Sequence, residues 1–146
     1  MKYKGSVIIN KPRELVTAIF INSEFNKEYQ DGFVRKELLS GKHGEAGSKS
    51  KMYYQYGKRP MVLTEEILKN DLPKSFEAFY HHKHMDNTML CTFIEIEPNK
   101  TEYKYEYEYT RINWVLPKLI SILFPSVYRK QGDKWMIQFK EFVEKQ

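Results

Sequence analysis

The sequence predicts an α+β chain, an antiparallel sheet of about seven strands covered on one face by one long C-terminal helix, with two short helices after the first strand. Three observations carry this. Residues 101–110, TEYKYEYEYT, alternate tyrosine with charge, the period of a strand whose one face meets water and whose other face covers something. From residue 33 to 110, β-type runs follow one another across short turns, which favours an antiparallel meander. The segment from Trp114 to Gln146 then takes helical spacing, with Trp135, Phe139, Phe142 and Val143 on one face and Lys134, Gln138, Lys140, Glu141, Glu144 and Lys145 elsewhere.

The elements follow in order. Tyr3 to Asn10 is a β-rich first strand, broken by Lys11-Pro12. Arg13 to Ile21 has apolar residues at 15, 16, 19 and 20, a helical spacing, with Asn10 as a candidate cap and Pro12 in the first turn. Ser23 to Gln30 predicts a second short helix, ended by Asp31-Gly32. Strands are expected over Phe33–Leu39, Ser48–Tyr56, Met61–Leu68, Ser75–His82 and Thr88–Glu97, with glycine or proline turns between most of them, before the tyrosine strand. Asn113 is a candidate cap for the final helix, which Pro125 must kink or restart. A sheet of this kind has one face free to pack. The only long amphipathic element available to cover it is the C-terminal helix, so the tyrosines are expected to face that helix.

Composition narrows the function. At 146 residues the chain is expected to form one domain, 1–146. Aromatics reach 15 %, with 11 Tyr and 9 Phe, so the buried surface is rich in rings with polar tips. The net charge of +5 is spread along the chain with acids between the bases, and no basic tract forms. Nucleic-acid binding is therefore not expected. The lone cysteine, Cys91, makes no internal disulfide and no cysteine-based metal site, which suits a reducing compartment. MKYKGSVIIN is too short in its apolar run for a signal peptide. Trp114 to Val127 is interrupted by Pro117, Lys118 and Pro125 and falls short of the ~20 apolar residues of a membrane span. The expected location is cytoplasmic.

Several segments share a pattern with a known family. An N-terminal strand is followed by KPRELVTAIFINSEFNKEY, in the place of paired short helices. GEAGSKSKMYY carries a Gly-Ser entry into the third strand at Gly47-Ser48. PNKTEYKYEYEY reads as a last hairpin, and DKWMIQFKEFVEKQ as a terminal helix. In this order, over essentially the whole chain, the sequence resembles the START/polyketide cyclase-like (SRPBCC) superfamily, which includes the major pollen allergen proteins. The resemblance implies a helix-grip fold, in which a curved sheet wraps the long helix and leaves a cavity. Members bind lipids, sterols, polyketides or plant hormones there; some are enzymes, some carriers, and some bind other proteins. The fold does not choose among these. High tyrosine density and the apolar stretch NWVLPKLISILFPSV depart from the usual pattern and leave the ligand class open.

Pairing rules give the expected lining. A two- or four-residue loop around Pro98-Asn99 sets Ile96 opposite Thr101, Ile94 opposite Tyr103, Thr92 opposite Tyr105 and Leu90 opposite Tyr107, and opposed residues share a face. Leu90, Thr92, Ile94, Ile96, Tyr103, Tyr105, Tyr107 and Tyr109 would then point inward, with Cys91, Phe93 and Glu95 outward. A turn at Lys58-Arg59 would pair Tyr56 with Met61, Tyr54 with Leu63 and Met52 with Glu65. Phe76, Ala78, Tyr80 and His82 share a face on the next strand. With Trp135 and Phe139 from the helix, the expected ligand-binding set is Tyr54, Tyr56, Leu63, Phe76, Tyr80, His82, Leu90, Thr92, Ile94, Tyr103, Tyr105, Tyr107, Trp135 and Phe139. Four phenols in a row each need a hydrogen-bond partner if buried, and a partly hydrated cavity supplies it.

Reactive chemistry is less marked. HHKHMD, His81 to Asp86, would put His82, His84 and Asp86 on one face if the strand ran on, a possible zinc set, but strand ends collect polar residues anyway and no metal is expected. His82 is the better candidate, as an acid/base at the cavity rim. Glu65 is the odd inward residue; a bulge that places it in water is favoured over a carboxylate of raised pKa inside the cavity. Ser40, Ser48 and Ser50 show no His/Asp arrangement for a triad, and there is no phosphate-binding glycine loop. No cofactor is expected. Trp114 to Val127 reads as helix packed on the sheet edge, with a cavity lid or transient membrane-surface contact as alternatives. The expectation is a non-catalytic carrier or binder of a small hydrophobic or amphipathic ligand, such as a lipid, sterol or polyketide-like molecule. The alternatives are a cyclase/dehydrase-type enzyme using Tyr, His82 or Glu65, and a protein-interaction module of the co-chaperone type. Oligomeric state and ligand identity are not written in the sequence.

Overall fold

The computed structural model describes residues 2–112 and 125–146, with side chains of the second segment from residue 130 onward. Its elements are β1 (Lys2–Ile9), α1 (Arg13–Ile21), a 3-10 turn (Ser23–Phe25), α2 (Asn26–Tyr29), β2 (Phe33–Ser40), β3 (Lys49–Tyr56), β4 (Arg59–Asp71), β5 (Ser75–His82), β6 (Met85–Glu97), β7 (Lys100–Ile112) and α3 (Pro125–Glu144). The seven strands form one antiparallel sheet in the order β1-β7-β6-β5-β4-β3-β2. The meander is as expected, and β1 adds to the free side of β7. The α1/α2 connection thus carries the chain from one sheet edge to the other.

Local chemistry accounts for the joints. Pro12, in extended conformation, precedes α1 without a side-chain cap. Asn10 does not cap the helix as expected; its backbone N–H donates to the Glu144 carboxylate at 2.7 Å and ties the first strand to the end of α3. Asn22 closes α1, and its side chain accepts from the Glu24 N–H at 3.1 Å to start the 3-10 turn. Gly57, at φ +62°, turns β3 into β4 with only Lys58 beside it, so Tyr56 faces Arg59. Met52 therefore faces Leu63, and Tyr54 faces Met61. Each partner lies two residues from the expected one, a shift that keeps every side chain on its expected face. Pro125 is the first described residue of α3, so whether it kinks or restarts a longer helix lies outside the described residues.

The β6–β7 hairpin departs from expectation in a way that matters. Its loop is the two-residue Pro98-Asn99, with Glu97 opposite Lys100, but the next pair is Glu95 opposite Thr101. Ile96 is an extra residue in the ladder, a β-bulge, and it reverses the facing of everything beyond it. Phe93 pairs with Tyr103, Cys91 with Tyr105 and Met89 with Tyr107. Phe93 and Cys91 are fully buried, whereas Leu90 is 38 %, Ile94 39 % and Ile96 47 % exposed. The tyrosines do face α3, but their expected β6 neighbours Leu90, Thr92 and Ile94 lie on the other side of the sheet. Further bulges fall at Thr110 in β7 and Leu68 in β4.

The buried apolar cluster draws residues from α1 and α3 and from β1, β6 and β7. Ile9, Val16, Cys91, Phe93, Phe139 and Val143 are buried there. The Phe20 ring stands edge-on to Phe76, Phe93, Tyr103 and Phe139, with centroids between 5.1 and 6.2 Å, a preferred aromatic geometry. Helix α3 lies along β1 and against α2, fixed by Lys140 Nζ on the Ile8 carbonyl at 2.6 Å and by Lys134 on Asp31 at 2.5 Å. The rest of the concave sheet face stays open beneath it.

Candidate functional site

That open space is a cavity of about 560 Å³ between the concave face of β3–β7, α1, α2 and α3. Strand alternation delivers its walls. Met52, Tyr54 and Tyr56 come from β3, Met61, Leu63 and Glu65 from β4, and Phe76, Tyr80 and His82 from β5. Met85, Asn87 and Met89 come from β6, and Tyr103, Tyr105, Tyr107 and Tyr109 from β7. The helices add Phe20, Tyr29, Trp135, Met136 and Phe139. Trp135 stacks on Tyr54 with centroids 6.0 Å apart, and Tyr105 on Tyr107 at 5.3 Å.

The phenols are tied to protein groups. Tyr29 donates to Asn26 Oδ1 at 3.0 Å, Tyr54 to Gln30 Oε1 at 2.9 Å and Tyr80 to Glu65 Oε2 at 2.8 Å. Tyr105 donates to Asp133 Oδ1 at 2.6 Å, and the Tyr103 hydroxyl meets Cys91 Sγ at 3.5 Å. Of the four phenols in a row expected to rely on cavity water, Tyr103 and Tyr105 have these side-chain partners instead. Burial pushes the phenols of Tyr29, Tyr54, Tyr80 and Tyr103 above their usual range, and the thiol of Cys91 up to about 12.

Glu65 is the polar centre of the wall. It is 5 % exposed and faces the cavity. The bulge expected to carry it into water falls three residues on, at Leu68. Its Oε1 accepts from Lys36 Nζ at 2.7 Å and its Oε2 from Tyr80. Lys36 starts on β2, opposite Met52, and crosses β3 beside the buried, small Ser50 that faces Glu65. A buried carboxylate held by an ammonium and a phenol is a compensated charge, not a solvation defect.

The histidine segment folds as a hairpin. Lys83-His84 is the turn, so His81 faces Asp86 and His82 faces Met85. His81 Nδ1 lies 2.6 Å from Asp86, and Arg111 clamps the same carboxylate at 2.7 and 3.0 Å. The common face of His82, His84 and Asp86 is not formed, because the turn ends the alternation. Among the described residues no three metal-ligating side chains gather. His82 faces the cavity, and its imidazole is held below its usual pKa by burial first and by His84 next.

Of the residues read from sequence, Tyr54, Tyr56, Leu63, Phe76, Tyr80, His82, Tyr103, Tyr105, Tyr107, Trp135 and Phe139 come together on the cavity wall. Leu90, Thr92 and Ile94 do not, because of the Ile96 bulge. Sequence reasoning missed Phe20, Tyr29, Gln30, Lys36 and Met89. Met89 shares the two-residue period of Cys91 and Phe93, a signal equal in strength to that of the wrong register. Lys36 has no local signal. The expected helix or lid at Trp114–Val127, and the Asn113 cap, lie outside the described residues up to 124. Among the described residues no helix is long and apolar enough to cross a membrane.

No protein-family model matches the chain, and no curated protein sequence matches it. Solved structures do. Zhui aromatase/cyclase from Streptomyces sp. R1128 superposes with a TM-score of 0.81 at 8 % identity, over 99 % of this chain and 93 % of its own. TTHA0849 from Thermus thermophilus gives 0.77 at 15 % identity, over 98 % and 97 %. A START superfamily protein from Mycobacterium smegmatis gives 0.73 at 11 % identity, over 98 % and 94 %. With its curved seven-stranded sheet, its paired helices after β1 and its C-terminal helix over the concave face, the chain has the helix-grip fold of the START/polyketide cyclase-like proteins.

Proposed function

We propose that the protein binds or carries a small hydrophobic or amphipathic ligand in the cavity between sheet and α3, and that it works in the cytoplasm as one domain. The cavity itself carries the reading. About 560 Å³, walled by aromatic and methionine side chains with a few fixed polar groups, matches the size and chemistry of small-molecule sites. Native mass spectrometry of gently purified protein should show a co-purified apolar molecule. Ligand-free protein that also fails to take up lipids or aromatic ketones would defeat the proposal.

A second reading rests on Glu65. A buried carboxylate touching both a phenol and an ammonium in a cavity wall is an arrangement able to move a proton, and one similar structure is named an aromatase/cyclase. An enzyme of this kind would lose turnover in Glu65→Gln while still binding its substrate.

A further inference from the structure

The polar groups of the cavity favour one class of guest. The phenolic protons of Tyr29, Tyr54 and Tyr80 are committed to Asn26, Gln30 and Glu65. Those amides accept through oxygen, which leaves their NH₂ groups as donors. Both oxygens of Glu65 are engaged, one by Lys36 and one by Tyr80. Lys36, at 12 % side-chain exposure, is more open than Glu65 at 6 %. Its ammonium has three donors, and Glu65 is its one hydrogen-bond partner among the described residues. His82 adds another donor, because its Nδ1 accepts from the His84 N–H at 3.2 Å and a neutral ring then carries its proton on Nε2. The charge of Lys36 is already offset by Glu65, so a guest carboxylate or phosphate would enter as an uncompensated charge.

Building on the ligand-binding reading, we propose that the cavity selects an uncharged guest bearing a carbonyl oxygen, and that Lys36 is the anchor that donates to it. Lys36 thus has two roles. It neutralises Glu65 within the wall and presents its remaining N–H groups to the carbonyl. Selection against acids follows from the same pair.

Three probes of one shape separate the claims in calorimetric titrations: 2-ethylnaphthalene, 2-acetylnaphthalene and 2-naphthoate. The ketone should bind about tenfold tighter than the hydrocarbon, the worth of one hydrogen bond to a charged donor, and the carboxylate weaker than the ketone. Lys36→Met should bring the ketone-to-hydrocarbon ratio to about one. The double variant Lys36→Met/Glu65→Gln, which leaves no unpaired carboxylate, should do the same, with its fold checked by circular dichroism. Equal native affinity for ketone and hydrocarbon, naphthoate as the tightest probe, or a ratio unchanged in the folded double variant each overturns the Lys36 assignment and leaves the cavity reading standing. Failure of both neutral probes to bind overturns the cavity reading, and the assignment with it.

Discussion

Tyr105 lies between two glycines, and this arrangement yields a sharp test of the packing. Gly5 on β1 faces Tyr105 on β7. A Cβ placed on Gly5 would overlap Cε1 of that ring and sit 2.8 Å from Cζ and 2.9 Å from the hydroxyl; a Cβ on Gly132 of α3 would sit 3.0 Å from the same hydroxyl. The ring is 5 % exposed and its hydroxyl is held by Asp133 at 2.6 Å, so it moves aside only by giving up that bond. Replacing a strand glycine by alanine ordinarily stabilises by about 0.5–1 kcal/mol. Here overpacking costs about 1–3 kcal/mol, and a weakened bond to a carboxylate adds about 1.5 kcal/mol. Gly5→Ala should therefore destabilise by about 2 kcal/mol. In a Tyr105→Val background the obstruction is gone and the same change should be neutral or stabilising, a coupling of about 2–3 kcal/mol. Urea titrations measure this directly: for a slope of about 1.5 kcal/mol/M the midpoint falls by roughly 1.3 M in the first case only. An equal loss in both backgrounds, or a gain in the native one, would refute the reasoning.

Other expectations follow from single sites. Cys91 is fully buried, with its thiol raised to about 12 by burial, so Ellman's reagent at pH 8 should label it only as fast as the protein opens, and in full under denaturant. Lys36→Met strands the Glu65 carboxylate and should cost about 3 kcal/mol; adding Glu65→Gln, which still accepts from Tyr80, should restore most of it in the same titration. The acid limb of stability should have two parts. His82 has a folded pKa below the usual 6.5, through burial, so the unfolded state takes the proton first and stability declines as pH drops from about 6.5 towards the folded value. Asp86 is held below its usual value by its hydrogen bond to Arg111; its contribution is present above the unfolded value and is lost as pH falls through the folded one. Thermal melts from pH 7 to 3 should show His82→Gln flattening the upper part and Asp86→Asn the lower; an upper slope untouched by His82→Gln would count against the assignment.

The tyrosine face of β7 was legible because nothing competes with its alternation: every second residue from Glu102 to Glu108 is charged. Strand β6 is different. MLCTFIEI is apolar at both phases, with Leu90, Ile94 and Ile96 on one and Met89, Cys91 and Phe93 on the other. Two registers are thus consistent with its hydrophobicity, and one bulge residue chooses between them. What decides is volume. Phe93 stacks on Tyr103 with centroids 4.9 Å apart and meets Phe20 from α1, a three-body fit that no property of β6 alone contains. The Lys36–Glu65 pair was hidden for a related reason. Its members are 29 residues apart and two strands apart, so a long side chain spanning an intervening strand replaces any local spacing.

The cavity follows from width. Seven strands leave six gaps, and at about 4.8 Å each the sheet is about 29 Å across. A helix with its side chains is about 10–12 Å in diameter. Helix α3 lies along β1 and α2, so it cannot also lie on β3, β4 and β5. Something else must fill the curve over those strands, and rings do it in part: Tyr54 meets Trp135 by stacking, and Tyr80 reaches Glu65 on the next strand. Because their hydroxyls are fixed to side chains, these rings hold their positions instead of closing inward. An apolar lining without such ties would collapse into the gap and gain the contacts it lacks. On this argument the phenol bonds keep the cavity open, and Tyr54→Phe, which releases one ring from Gln30 without changing its bulk, should narrow the space available to the naphthalene probes more than it lowers stability.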